Sequence, residues 1–429
     1  MVFRASTSSV TSLHSYLDPE LLRGVPLHVC LSGWAKHWSQ KEGAMFDVDE
    51  RSYALGHQIE SYDFFLSHDW ATGRWLKLLS MMIIFNSRAA AVASLVTSIV
   101  VGALRMTEVI PDEMWTVIFG YAAFLLFLCF WQRIRLVIFK PLVVFVDKLC
   151  IAQHDDELKE KGILGLAGFV DHSKKLTILW SPRYFSRLWC TYEIAAFLRD
   201  QVTDEKPLQV MPVKMSVILF LLSFCWHILT ICFYVLEYVT DDDTGMLDEI
   251  LVGAFVAAFL MLTMPIVCYI GIGLMKDIQE LPNQLKTFRV QESKCFCCSH
   301  NHVHPETGRR IICDRQLVFK TLKRWFGAEG NTLAHLTLPS CGRNEEQHLD
   351  AFNFLVQSDL AQTVLKSVGG DTLPFSYAVY MVSICLATQS EWSLPQKAQN
   401  MFPKAGNVPF LAQYMASWKA DPLPHMGVY

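Results

Sequence analysis

KKLTILWSPRYFSRLWCTYEIAAFLR, residues 174–199, decides how this chain folds. Leu176 to Trp180 is a short apolar run that reads as a strand, and Ser181-Pro182 stops it. A turn rich in aromatic and basic side chains follows. From Leu188 the spacing turns helical: Cys190, Ile194, Phe197 and Leu198 stand at i, i+4, i+7 and i+8, one face of a helix. Strand, polar turn and amphipathic helix make the repeating unit of α/β sheets, whose ligands bind beyond the carboxyl ends of the strands, where this turn lies. Glu193 sits at the edge of the apolar stripe, one turn after Trp189. A carboxylate beside an indole and half out of water has its pKa pushed up, which suits a general base or a ribose-binding group. From spacing alone the plainer reading is an exposed helical Glu with Trp189 in the core.

Residues 181–194, SPRYFSRLWCTYEI, resemble the S-P-x-Y-x-x-S-x-W-C-x-x-E-L block of Toll/interleukin-1 receptor (TIR) domains. Three other segments resemble strands of that fold in the right order. YDFFLS (Tyr62 to Ser67) looks like the first, VFVDK (Val144 to Lys148) the second and LQVMPV (Leu208 to Val213) the fourth. Gly162-Ile163 and the run to Ser173 resemble the loop and helix between the second and third strands. The fold so implied is α/β, a TIR-like (flavodoxin-like) parallel sheet, here with four inserted transmembrane helices. The fifth strand and last helix of that fold are not recognisable after Met275.

The inserted helices follow from composition. Apolar residues make up 52% of the 429, high for a soluble protein. Ala89 to Leu104 and Trp115 to Trp131 carry no charge, and each comes close to the roughly 20 residues that cross a bilayer. Met215 to Val239 and Ile250 to Met275 are also apolar and long enough to span. Ala90, Ser94, Ser98 and Gly102 recur every fourth residue, a small-residue stripe that lets another helix approach. Buried core helices are the alternative, although runs without a polar face argue against it. Arg74, Lys77, Arg88, Arg133, Arg135, Lys140, Lys206, Lys214 and Lys276 flank one side of the spans and Arg105 the other. By the positive-inside rule both termini and the TIR-like pieces are cytoplasmic in this multi-pass protein. His227 lies mid-span, where an ionisable side chain is either functional or a neutral imidazole bonded to a neighbouring helix.

The chain thus divides into an N-terminal region (1–59, partly disordered), TIR-like pieces (60–88 and 132–214), hairpins (89–131 and 215–275), a cytosolic C-terminal region (276–388) and a loosely held tail (389–429). The N-terminus does not read as a secretory signal; a disordered start or a weak transit peptide is expected. A net charge of −4 invites no nucleic acid. The thirteen cysteines read as reduced thiols facing cytosol. Gly162, Gly165 and Gly168 are not the dinucleotide fingerprint and suit close helix packing. Cys295, Cys297, Cys298, His300 and His302, with Cys313 further on, are dense enough to hold zinc, although the spacing fits no regular zinc motif; buried thiols beside a polar turn are the alternative. Residues 315–326 read as an amphipathic helix lying on the anionic inner leaflet or packed on the sheet. Leu349 to Val368 reads as a helix with Phe352, Leu355, Val356, Leu360 and Val364 on one face, and Pro374 to Ala387 as a buried or interfacial helix.

The resemblance carries functional expectations. TIR domains either pair with one another in signalling complexes or cleave NAD+ at the nicotinamide–ribose bond. In the cleaving members a Glu in the W-C-x-x-E block is required, which on this chain is Glu193. Trp189 would pack behind it, and His68 and Asp69, after the first strand, would line the mouth; a helix cap is the commoner meaning of such an Asp. NAD+ would be the substrate and no metal would be needed. The partners expected are the lipid bilayer and, for a scaffold, further copies of this chain or other TIR domains. A transporter or channel carrying a regulatory TIR-like part is a third reading, for which spans so poor in ionisable residues offer little pore lining.

Overall fold

A computed structural model of the chain describes residues 18–38, 50–107, 109–110, 114–152, 154–200, 206–239, 246–303, 308, 310, 313–326 and 347–369. Pro374 to Ala387, His304 and the 389–429 tail lie outside the described residues. The strands are β1 (Arg23–Pro26), β2 (His57–Gln58), β3 (Phe64–His68), β4 (Val143–Phe145), β5 (Leu176–Trp180) and β6 (Leu208–Pro212). They form one six-stranded sheet in the order β2-β1-β4-β3-β5-β6. The apolar run Leu176–Trp180 and the three segments that resemble TIR strands lie side by side and parallel. Phe65 registers with Phe145 on one side and Leu176 on the other, and Trp180 with Pro212. All five residues of β5 are buried, as befits a strand covered on both faces.

The sheet is mixed rather than wholly parallel. β1 runs antiparallel to β4, pairing Val25 with Val144, and β2 runs antiparallel to β1. Both come from the region expected to be partly disordered, yet Val25, Leu27, Cys30 and Trp38 are fully or almost fully buried. A four-residue strand ending in Pro is too short for a periodic signal; contacts from elsewhere hold it. The Tyr62 hydroxyl donates to the Arg23 carbonyl at 2.7 Å, and the Arg23 guanidinium lies 4.4 Å from the Tyr53 ring centre. Gly24 lets β1 come this close: a Cβ there would stand 2.5 Å from a Val143 methyl.

Two of the strands lead almost directly into long helices. α1 (Arg74–Met106) starts five residues after β3 ends and runs unbroken for 33 residues, about 50 Å. Its first turns bury Leu78, Met81, Met82 and Ile83, and the same helix continues as the first apolar span. The expected boundary between a cytosolic helix and a span at Ala89 is therefore absent. Trp75 is half exposed under the Arg74 guanidinium. α2 (Trp115–Ile134) returns alongside. Ala90, Ser94 and Ser98 are fully buried on α1, which packs along α2. Nearer the sheet, Gln132 donates to the Asn86 side-chain oxygen at 2.9 Å and Asn86 to the Leu128 carbonyl at 2.8 Å.

Between β4 and β5 lie α3 (Asp156–Leu164) and α4 (Leu166–Asp171). Gly162 packs so closely that a Cβ would stand 2.9 Å from Ile151, in line with the packing role expected of these glycines. After β5 comes α5 (Leu188–Asp200), the helix of Glu193. α6 (Val213–Val239) begins at the residue after β6, so sheet and span share one rigid junction. α7 (Met246–Lys286) runs 41 residues, about 61 Å, beyond the expected end at Met275. Lys214 binds Asp277 at 2.6 Å across this pair. These are four helices long and apolar enough to cross a membrane, and none of the most apolar window of the last is buried.

Three longer helices follow after Lys286, α8 (Asp314–Phe326), α9 (Gln347–Leu355) and α10 (Ala361–Gly369); a π-turn at Val356–Leu360 joins the last two. All five apolar residues expected on one face of the 349–368 helix are buried. α8 does not turn its apolar face to lipid: Val318 and Leu322 are buried, and Trp325 stacks on Tyr192 of α5 at 5.4 Å. Among the described residues no strand pairs with the outer edge of β6, and α10 packs against that strand.

Candidate functional site at the carboxyl ends of the central strands

β3 has β4 on one side and β5 on the other, the switch point of the sheet, and in open α/β sheets the crevice outside the carboxyl ends at such a point is where ligands bind. Ser67 and His68 finish β3 and Asp69 follows. Asp147 lies just past β4 and Ser181 just past β5. α5 brings Glu193 back over the same edge. Sequence spacing placed Glu193 at the rim of a half-exposed helix, but α5 is buried all round. The sheet covers one flank and α4 and α8 the others, leaving Glu193 only 6% exposed.

Ser67 Oγ donates to Glu193 Oε2, and the same oxygen meets the Tyr184 hydroxyl. A hydroxyl has one proton, so Tyr184 donates to Ser67 and Ser67 to Glu193. Burial holds the Glu193 carboxyl well above the usual carboxylate range. Nearby Asp147 pushes it the same way and the Ser67 bond opposes both. Burial also raises Asp147, against the opposing hydrogen bond from the Trp70 indole at 2.7 Å. Burial thus favours the protonated form of Glu193. Lys77, one of the cations expected to flank the spans, is instead fully buried here. It donates to the Trp70 carbonyl at 3.2 Å and lies 4.9 Å from the Trp70 ring centre. Charge counting could not separate it from its exposed neighbours.

His68 does not line an open mouth. Its ring is packed at 4.6 Å from Trp38 and 4.4 Å from Trp70. Burial, followed by the charge on Lys77, keeps it well below the usual imidazole range and so neutral. Its Nε2 is buried without a hydrogen-bond partner, as is Ser181 Oγ at the end of the adjoining strand. Asp69 is buried too. It accepts from the Ala71 amide at 3.1 Å and faces Arg183 at 3.4 Å and Arg187 at 3.6 Å, so it shapes the turn rather than capping α1, whose N-cap is Gly73. Arg187 stands where the quoted block has Ser.

Trp189 is not aimed as expected. A half-buried indole N–H needs a partner, and Trp189 finds Asp314 of α8 at 3.3 Å. Ser67 and Tyr184, which carried no sequence signal for it, support the Glu193 carboxyl instead. His227 bonds the Ser223 carbonyl of its own helix at 2.6 Å, not a neighbouring helix, and its ring lies 4.0 Å from that of Tyr121.

The five residues named for zinc do not all converge. Cys297, Cys298 and His302 come together, and Cys313 completes the group. Cys295 stands beside them, 3.3 Å from Cys297. His300 is exposed, with Nδ1 3.0 Å from the Phe296 carbonyl and its ring against Phe296. The segment is a helical turn, Phe296–Ser299, rather than an extended strand, so the alternation that would align His300 with His302 is absent.

No family model, no curated protein and no solved structure matches the chain.

Proposed function

We propose that this chain is a membrane-anchored, TIR-like protein that hydrolyses NAD+ at the nicotinamide–ribose bond, with its sheet and both termini on the cytoplasmic side. One observation carries the reading. A buried carboxyl, Glu193, overhangs the carboxyl ends of β3 and β5, and among the described residues His68 Nε2, Asp69 Oδ2 and Ser181 Oγ at this edge are buried without a hydrogen-bond partner. Buried polar atoms without partners call for an occupant of the crevice. The order of the four parallel strands, with the first between the second and third, supports the flavodoxin-like fold.

The chemistry follows from the environment of Glu193. The nicotinamide ring of NAD+ carries a positive charge, and a cation entering this dry site favours the carboxylate form of Glu193, whose proton passes to solvent. The carboxylate then holds the ribose hydroxyls in place of Ser67. As the C–N bond breaks, its electron pair leaves with neutral nicotinamide, and the carboxylate faces the charge developing at the anomeric carbon. Water adds to that carbon and loses a proton. Detergent-purified wild type releases nicotinamide from NAD+, and Glu193→Gln, which keeps shape and the Ser67 bond, reduces release by at least about 100-fold. Equal release from a folded Glu193→Gln variant ends the enzymatic reading.

One observation favours a second reading, a signalling scaffold. The Glu193 carboxyl is already bonded by the chain's own Ser67–Tyr184 relay, as a purely structural acid would be. The scaffold predicts self-association that survives Glu193→Ala and no nicotinamide release by either protein.

A further inference from the structure

We propose that Cys297, Cys298, His302 and Cys313 hold one zinc ion that clamps the C-terminal region onto the Glu193 helix. One donor atom from each of the four lies within 4.8 Å of the others. Cys298 Sγ is 3.9 Å from Cys313 Sγ and 3.7 Å from His302 Nε2. A tetrahedral ion with Zn–S bonds of about 2.3 Å sets its sulfurs about 3.8 Å apart and sulfur and nitrogen about 3.5 Å apart. The donors are thus spaced for an ion and too far apart for disulfides.

The backbone supports the same arrangement. Asn301 and His302 both adopt left-handed conformations, φ +50° and +59°, which cost energy in residues other than glycine. This turn folds the chain back so that the His302 amide meets the Cys297 carbonyl at 2.8 Å and the imidazole faces the thiols. The Asp314 amide points at Cys297 Sγ from 3.3 Å, the outer hydrogen bond that steadies a metal-bound thiolate. A zinc-free cluster of small apolar thiols gains nothing from two strained residues or from an amide aimed at sulfur.

The placement assigns the ion a job. The Cys295–His302 segment follows an extended piece docked on the turn before α5: the Lys294 amide donates to the Ser186 carbonyl at 2.7 Å, and the Leu188 amide to the Lys294 carbonyl at 3.0 Å. Cys313 immediately precedes α8, whose Asp314 holds Trp189. Zinc would therefore join two separate segments that both grip the first turn of α5, independently of any activity of Glu193.

The test uses full-length protein purified in detergent without chelator, with metal content measured by mass spectrometry. Wild type carries about one zinc per chain, and Cys298→Ser and Cys313→Ser each carry less than about a tenth of that. Cys295→Ser and His300→Ala keep the full content. Cobalt exchanged into wild type shows the visible bands of a tetrahedral thiolate site, a readout that does not depend on any variant folding. Wild type without zinc and without cobalt bands overturns the proposal. So does a loss in Cys295→Ser equal to that in Cys298→Ser, or an intact mass showing a disulfide within the cluster.

Discussion

Glu193→Gln should remove a specific component of the pH dependence of stability. The Glu193 carboxyl titrates well above its unfolded range because burial disfavours its charge. A group whose folded pKa is raised stabilises the fold fully below its unfolded pKa, about 4.3, and loses that contribution as pH rises through the folded value. Between the two, the folded chain holds a proton that the unfolded chain has released, so stability falls by up to about 1.4 kcal/mol per pH unit. Glutamine cannot titrate and still accepts from Ser67. The wild-type melting temperature minus that of Glu193→Gln should therefore fall as pH rises above about 5 and level off once the folded carboxyl ionises. For a folded part of roughly 200 residues outside the four long apolar helices the slope is about 3–6 °C per pH unit. Differential scanning fluorimetry on the detergent-solubilised pair provides the measurement. A difference that stays flat with pH, or rises, refutes a buried neutral Glu193.

Three other outcomes follow from the contacts. Ser67→Ala strips the partner from both the Glu193 carboxyl and the Tyr184 hydroxyl, and thermal unfolding should show a loss of about 1–3 kcal/mol. Trp189→Phe keeps the ring but leaves Asp314 without its indole donor, and should cost about 1–2 kcal/mol and speed limited proteolysis ahead of α8. Asn86→Leu breaks the bonds to Gln132 and the Leu128 carbonyl that join α1 to α2. A loss of about 1 kcal/mol is expected for such a bond within a membrane, read by titration into denaturing detergent.

Local pattern settled much of this molecule. The apolar run of β5, a central strand buried at every position, was legible in a short window, and three further segments were placed by their resemblance to TIR strands. Length and the scarcity of charge marked four helices able to cross a membrane. The buried faces of α1 at Ala90, Ser94 and Ser98, and of α9 to α10 from Phe352 to Val364, were legible from helical spacing. Tertiary structure alone decided the rest. β1 and β2 are too short to carry periodicity and exist through their pairing with β4 and through Tyr62. Lys77 reads as a flanking charge until folding closes Trp70 over it, and Trp189 turns to Asp314, 125 residues away. Glu193 looks half exposed because helical spacing reports one face, whereas α8 and α4 bury the others. Cys313 joins the thiols only because α8 begins where the turn at His302 ends. Periodicity records what a segment hides from water, but which side chains meet depends on segments distant in sequence, and that is where the chemistry of this site was assembled.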